Sequence, residues 1–156
     1  MQIAVDRLTC DGVRGLLEAH LADMYATSPA ESVHALDMQG LKHQSITFWS
    51  ARENGKVLGC VALKHLAGEH GEIKSMRSAE NARHRGVATA LLQHLITQAK
   101  QRRYRRLSLE TGTMEYFEPA KSLYRKFGFV DCGPFADYPL DPNSCFMTLV
   151  LERASI

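Results

Sequence analysis

Residues 81–95 read NARHRGVATALLQHL: two arginines and a histidine gather before one glycine, and the chain then turns apolar. Val87, Leu91, Leu92, Leu95, Ile96 and Ala99 keep helical spacing, which predicts a helix from Gly86 to about Arg102. The first turn of a helix leaves N–H groups unpaired and carries the positive end of the dipole, so cations are disfavoured there. Arg83 and Arg85 nevertheless stand at that end, and a bound anion would offset the cost. Gly86 has no Cβ to hold a phosphate at a distance. A plain surface loop is the alternative, since one glycine beside two arginines is a weak signal.

Outward from this helix, GEIKSMRS (71–78) and LSLET (107–111) read as strands. Glu72 to Glu110 is then a β-α-β unit with parallel strands and a right-handed crossover. ITFWSAR (46–52) and VLGCVAL (57–63) flank ENGK, whose Asn54-Gly55 pair predicts a hairpin. Near the N-terminus IAVDRL (3–8) alternates like an opening strand. Asp11 offers an N-cap for a helix carrying Leu16, Leu17, Leu21 and Met24 on one face. Residues 25–41 mix turn formers with scattered apolar residues and read as a loop with short helical pieces. PAKSLYRKFG (119–128) predicts a short helix, with Pro119 in its first turn and Gly128 at its C-terminal cap. FVDC (129–132) and CFMTLVLE (145–152) complete the sheet. The pattern is a mixed α/β (α+β) sandwich, and without repeats or linkers residues 1–156 read as one domain.

Composition narrows the function classes. A chain of 156 residues can bury roughly two thirds of its unfolded surface. The formal net charge of +2 argues against nucleic acid as a partner. Lys100, Arg102, Arg103, Arg105 and Arg106 sit at or past the helix C-terminus, where cations favour the dipole and read as a solvated face. No apolar run approaches a membrane span and the N-terminus lacks a signal-peptide core, so neither membrane nor export is expected. Cys10, Cys60, Cys132 and Cys145 are scattered and the seven histidines form no metal-ligand spacing. The expectation is therefore no metal, a reducing cytoplasm, and no covalent cysteine chemistry.

Arg83-His84-Arg85-Gly86-Val87-Ala88 fits the R/Q-x-x-G-x-G/A signature of the GNAT superfamily of N-acetyltransferases, and AKSLYRKFGF resembles its A-x-x-L-Y-x-x-x-G-F segment. The two matches stand in the right order, separated by a helix and a strand. SVHALD, GEIKSMRS, LETG and DPNSCFMTL resemble one bacterial subgroup whose acceptor is unsettled. The resemblance implies a mostly antiparallel sheet with a splayed parallel pair and helices on both faces. It implies an acetyl-CoA-dependent transferase acting on a primary amine, in a small molecule or a peptide, by direct transfer in a ternary complex. A homodimer is a further expectation.

By this resemblance the loop from His84 through Arg85, Gly86, Val87 and Ala88 to Thr89 wraps the pyrophosphate of acetyl-CoA, with Arg83 anchoring it. Met76 and Ser78 offer backbone to the pantetheine arm, and one of their N–H groups faces the developing oxyanion. Glu72 takes the place of a catalytic glutamate, its other reading being an exposed strand-end carboxylate. Tyr124 holds the position of the general acid, against a core tyrosine between Leu123 and Phe127. Phe117 replaces a cofactor-contacting asparagine, with Thr111 and Thr113 as substitutes. The acceptor is expected between 28–37 and 134–144, near Ser32, His34, Asp37, Asp137, Tyr138 and Asp141. A non-catalytic acyl-CoA sensor is the competing function.

Overall fold

The computed structural model describes residues 1–151; Glu152, the last residue of the expected final strand, lies outside them. Seven strands form one sheet: β1 (Gln2–Val5), β2 (Ile46–Glu53), β3 (Lys56–His65), β4 (His70–Ser78), β5 (Arg106–Gly112), β6 (Val130–Cys132) and β7 (Ser144–Val150). Their order is β1-β2-β3-β4-β5-β7-β6, antiparallel except for the β4/β5 pair. The helices are α1 (Asp11–Thr27), α2 (Met38–Leu41), α3 (Val87–Gln101) and α4 (Glu118–Lys126). None is long and apolar enough to cross a membrane.

The hairpin forms as Asn54-Gly55 predicts: both residues have positive φ, and Glu53 pairs with Lys56. On one face of the sheet α3 buries Val87, Leu91, Leu92, Leu95, Ile96 and Ala99 against Trp49, Val61, Leu63 and Leu107. Tyr124 of α4 belongs to this core. On the other face α1 and α2 cover the β2–β3 end, where Leu17 and Leu41 meet Phe48, Cys60 and Ala62.

Three expectations shift in detail. The N-cap of α1 is Cys10, whose sulfur accepts from the Val13 N–H, and Asp11 is the first helical residue. That helix runs on to Thr27, whose hydroxyl bonds back to the Asp23 carbonyl at 2.7 Å. β1 ends early because Asp6 turns to accept the Leu8 N–H at 2.8 Å. Between α1 and β2 the expected short helical pieces are a 3-10 turn, Ala30–Ser32, and α2.

Two irregularities open the sheet. β4 and β5 pair only from His70–Arg106 to Glu72–Ser108 and then separate. β4 also bulges: Cys60 stands opposite Arg77 and Ala62 opposite Lys74, so Ser75 and Met76 share one partner position, with Ser75 at φ 54°. A gap in the middle of a sheet exposes backbone that would otherwise be paired. The bulge and the split together create the cavity.

Candidate active site

A cavity of about 450 Å³ fills the gap between β4 and β5. Residues 72–78 form one wall and Glu110, Thr111 and Gly112 the other. Arg83, His84 and Ala88 line one mouth, and Ser28, Ser32 and His34 the opposite one.

At the first mouth the start of α3 has no side-chain cap, and the first helical bond runs from the Ala90 N–H to the Gly86 carbonyl. The N–H groups of Gly86, Val87, Ala88 and Thr89 therefore lack helical partners. Gly86 has φ 76°, and a Cβ built there meets nothing within 4 Å, so open space faces the turn. His84 takes the same left-handed conformation at φ 65°, which folds the loop tightly before the helix. The two arginines part company. Arg85 reaches back to Glu53 at 2.6 Å, so its charge is balanced within the protein. Arg83 lines the cavity and forms no ion pair among the described residues. This cradle fits an anionic group such as a pyrophosphate, with Val87 contributing backbone while its side chain is buried in the core.

Along the inner wall the Ala79 N–H donates to Leu58 at 2.7 Å. Alternation in an antiparallel ladder then turns the Ser78 N–H away from β3, toward the gap. Met76 packs its side chain toward the α3 core. Tyr124 lines the cavity from α4, packed on Phe129 with ring centroids 5.6 Å apart. Burial pushes its phenol well above the ordinary tyrosine range, and its hydroxyl makes no hydrogen bond among the described residues. Tyr124 is thus a core residue that also borders the cavity, its phenol kept protonated by burial.

Glu72 is not an exposed strand end. It is 2% exposed, accepts a short hydrogen bond from the Tyr138 hydroxyl and pairs with Lys74 at 3.3 Å. Lys74 in turn donates to the Tyr138 hydroxyl at 2.9 Å. Glu72 pairs in register with Ser108, so Glu110, two residues further along β5, projects from the same face. Burial lifts Glu110 to about 7, the neighbouring Ser144 hydroxyl and the Lys74 ammonium opposing the rise and Glu72 and Asp141 adding to it. Sequence reading missed Glu110 as a site residue. No local pattern marked it: its place at the gap follows from the Glu72–Ser108 register and from the point where the two strands part.

The acceptor-side residues divide. Ser32 and His34 line the cavity, Ser32 donates to Asp141 at 2.6 Å, and His34 packs edge-on against Tyr138. Asp37 does not come to the cavity: it is exposed and caps α2, accepting the Gly40 N–H at 2.8 Å. Asp137 is exposed as well. Phe117 is a packing residue whose ring lies where a Cβ on Gly112 would stand, 2.1 Å away, so it offers no polar contact. Of its expected substitutes Thr111 lines the cavity and Thr113 is exposed. The arginine run past α3 is used structurally: Arg102 bonds Thr47 at 2.8 Å and lies over Trp49, and Arg105 pairs with Glu69.

Residues 13–129 match the Acetyltransferase (GNAT) family. Over 148 residues the chain is 53% identical to the N-acetyltransferase YsnE of Bacillus subtilis (strain 168), itself uncharacterised, covering 95% of this chain and 98% of that one. Over 149 residues it is 49% identical to the likewise uncharacterised N-acetyltransferase YedL of Escherichia coli K12, covering 96% and 94%. A solved structure from Klebsiella pneumoniae, provisionally an acyl-CoA N-acyltransferase, superposes with a TM-score of 0.79 at 26% identity, covering 97% of both chains.

Proposed function

The chain belongs to the GNAT family of acetyltransferases, and from that premise we propose that it moves the acetyl group of acetyl-CoA directly to a primary amine in a ternary complex. The observation that carries the reading is the single cavity that joins the uncapped start of α3 to Glu110 and Tyr124 across the split β4/β5 pair. Acetyl-CoA would supply an activated acyl group as a thioester. The unpaired N–H groups of residues 86–89 and the side chain of Arg83 would hold its pyrophosphate, and the Ser78 edge of β4 its pantetheine arm.

An amine attacks only when neutral, and an ordinary alkyl ammonium loses its proton near 10. Glu110, held at about 7 by burial, is poised to take that proton near neutral pH. Glu72, committed to Tyr138 and Lys74, orients the acceptor side and is the second carboxylate of the pair. As the carbon–nitrogen bond forms, the Ser78 N–H faces the charge growing on the carbonyl oxygen. As the carbon–sulfur bond breaks, Tyr124 donates a proton to the departing sulfur. Its burial favours the protonated phenol. Residues 1–156 act as one domain on this reading, and the four free cysteines suit a reducing cytoplasm.

Release of free CoA thiol from acetyl-CoA tests the proposal, across amino acids, polyamines, aminoglycosides and short peptides, with Tyr124→Phe alongside. Turnover with one acceptor class, lost in the variant, supports it. Acetyl-CoA binding without turnover across all classes would favour an acyl-CoA sensor instead.

A further inference from the structure

We propose that the acceptor is a small aminocarboxylate, with its amine at Glu110 and its carboxylate held by donors on the bulged stretch of β4; this rests on the transferase reading above. Three cavity-lining side chains there, Lys74, Ser75 and Arg77, have unused donors. Arg77 bonds Asp23 through Nη1 at 2.8 Å, while its Nε, on a side chain only 10% exposed, is buried without a partner. The Ser75 hydroxyl is buried and unpaired as well. Lys74 carries three N–H donors and uses two of them, on Glu72 and on the Tyr138 hydroxyl. A buried donor left unpaired is costly, so such donors call for an acceptor-only group, and a carboxylate offers two oxygens with about four lone-pair sites.

The charges inside the cleft point the same way. Asp23 is taken up by Arg77 and by the Tyr116 hydroxyl at 3.1 Å. Glu72 is taken up by Lys74 and Tyr138, and Asp141 by Ser32 and the Asn143 N–H. Glu110, like Asp141, has no cationic partner within ion-pair distance among the described residues, and of the two only Glu110 lines the cavity. One cavity-lining carboxylate without a cation on the β5 wall and unused donors on the β4 wall match one ammonium and one carboxylate. A polyamine would bring further positive charge with no carboxylate to meet it, and would leave Arg77 Nε unpaired. Size agrees: about 450 Å³ must also take the donor's arm, which leaves room for a small molecule rather than a folded chain.

The test keeps the acceptor side chain fixed and changes only the carboxylate. With the full chain and saturating acetyl-CoA, free L-amino acids with small, aromatic, acidic and cationic side chains are each compared with their carboxamide and their decarboxylated amine. At least one free amino acid should turn over, and its kcat/KM should exceed those of the carboxamide and the amine by ~10–100-fold, the usual worth of a charged hydrogen bond. In Arg77→Gln that ratio should fall toward unity while acetyl-CoA still binds. Equal rates for acid and carboxamide overturn the proposal and leave the transferase standing. So does turnover with polyamines alone, or silence from every amino acid while acetyl-CoA binds. Failure to bind acetyl-CoA overturns the transferase reading itself.

Discussion

The two mouths of the cavity are built from different materials. At the α3 mouth the working groups are, apart from the Arg83 side chain, backbone: uncapped N–H groups, a left-handed glycine and a strand edge freed by the split. At the α1 mouth they are side chains gathered from β4, β5 and the segments before α2 and β7. Backbone donors depend on chain shape and tolerate most side chains, whereas the side-chain cluster depends on which strands lie beside one another. The first mouth should therefore be sensitive at one position and forgiving elsewhere, and the second should show graded, coupled effects.

The harshest test of that contrast is Gly86→Glu. The Cβ has open space, so no core contact is lost, and the cost to folding is the strain of a side chain at φ 76°. That strain is roughly 1–2 kcal/mol. A carboxylate in the cradle would repel the pyrophosphate. Acetyl-CoA affinity measured by calorimetry should fall at least about 100-fold, with Tm lowered by only a few degrees. Unchanged affinity would remove the loop from the donor site. His84→Ala or Thr89→Ala should change affinity little, because the expected contacts at those positions are made by the main chain.

Tyr124→Phe comes next. The hydroxyl makes no hydrogen bond among the described residues, so its loss leaves no partner stranded and the fold should hold. Loss of a positioned acid typically costs ~10²–10⁴-fold in turnover. Stopped-time thiol release should therefore collapse while acetyl-CoA affinity stays within about twofold. Equal turnover would return Tyr124 to a purely packing role.

What could be read in the residues follows the same division. The glycine, its arginines and the apolar spacing after them lie within one short segment, and the hairpin at Asn54-Gly55 is equally local. Such features are set by φ and by helical periodicity, which sequence reports directly. The parallel pair was legible too, because a helix between two strands admits few topologies. Glu110 was not. Its burial beside Glu72 depends on the register Glu72–Ser108, and the abnormal acidity follows from that burial. The hydrogen bond from Tyr138 to Glu72 spans 66 residues, and no pattern in the chain announces it. Asp37 misled for a related reason: an aspartate in a polar loop can face a ligand or cap a helix, and only the path of the loop decides.

Glu110→Gln and Glu72→Gln sharpen the acceptor side. Glu110 faces Lys74, Glu72 and Asp141, and its value near 7 predicts that turnover rises with pH through about 7. Glu110→Gln should remove that rise and lower kcat by roughly 100-fold. Glu72→Gln should act mainly through Lys74 and Tyr138, raising the acceptor KM by about tenfold while the pH rise persists. Stability carries the same signature. A carboxyl raised from 4.5 to about 7 keeps its proton in the folded state where the unfolded chain has lost it, so stability falls as pH climbs through that window. Thermal melts between pH 4.5 and 7.5 should show part of that decline disappear in Glu110→Gln.

The smallest effect separates position in the sequence from position in the site. Asp37 lies in the loop that contributes Ser32 and His34 to the cavity, yet its carboxylate is occupied with the Gly40 N–H outside it. Asp37→Ala removes an N-cap from a four-residue helix whose Leu41 is buried beside Phe48. Loss of such a cap costs about 1 kcal/mol, a shift of a few degrees in Tm for a chain of this size. Acceptor KM should stay within about twofold, because the hydroxyl of Ser32 remains tied to Asp141 rather than to the cap. A larger rise in KM, with Tm unchanged, would mean that Asp37 reaches the acceptor after all and that the second mouth extends beyond the cavity wall.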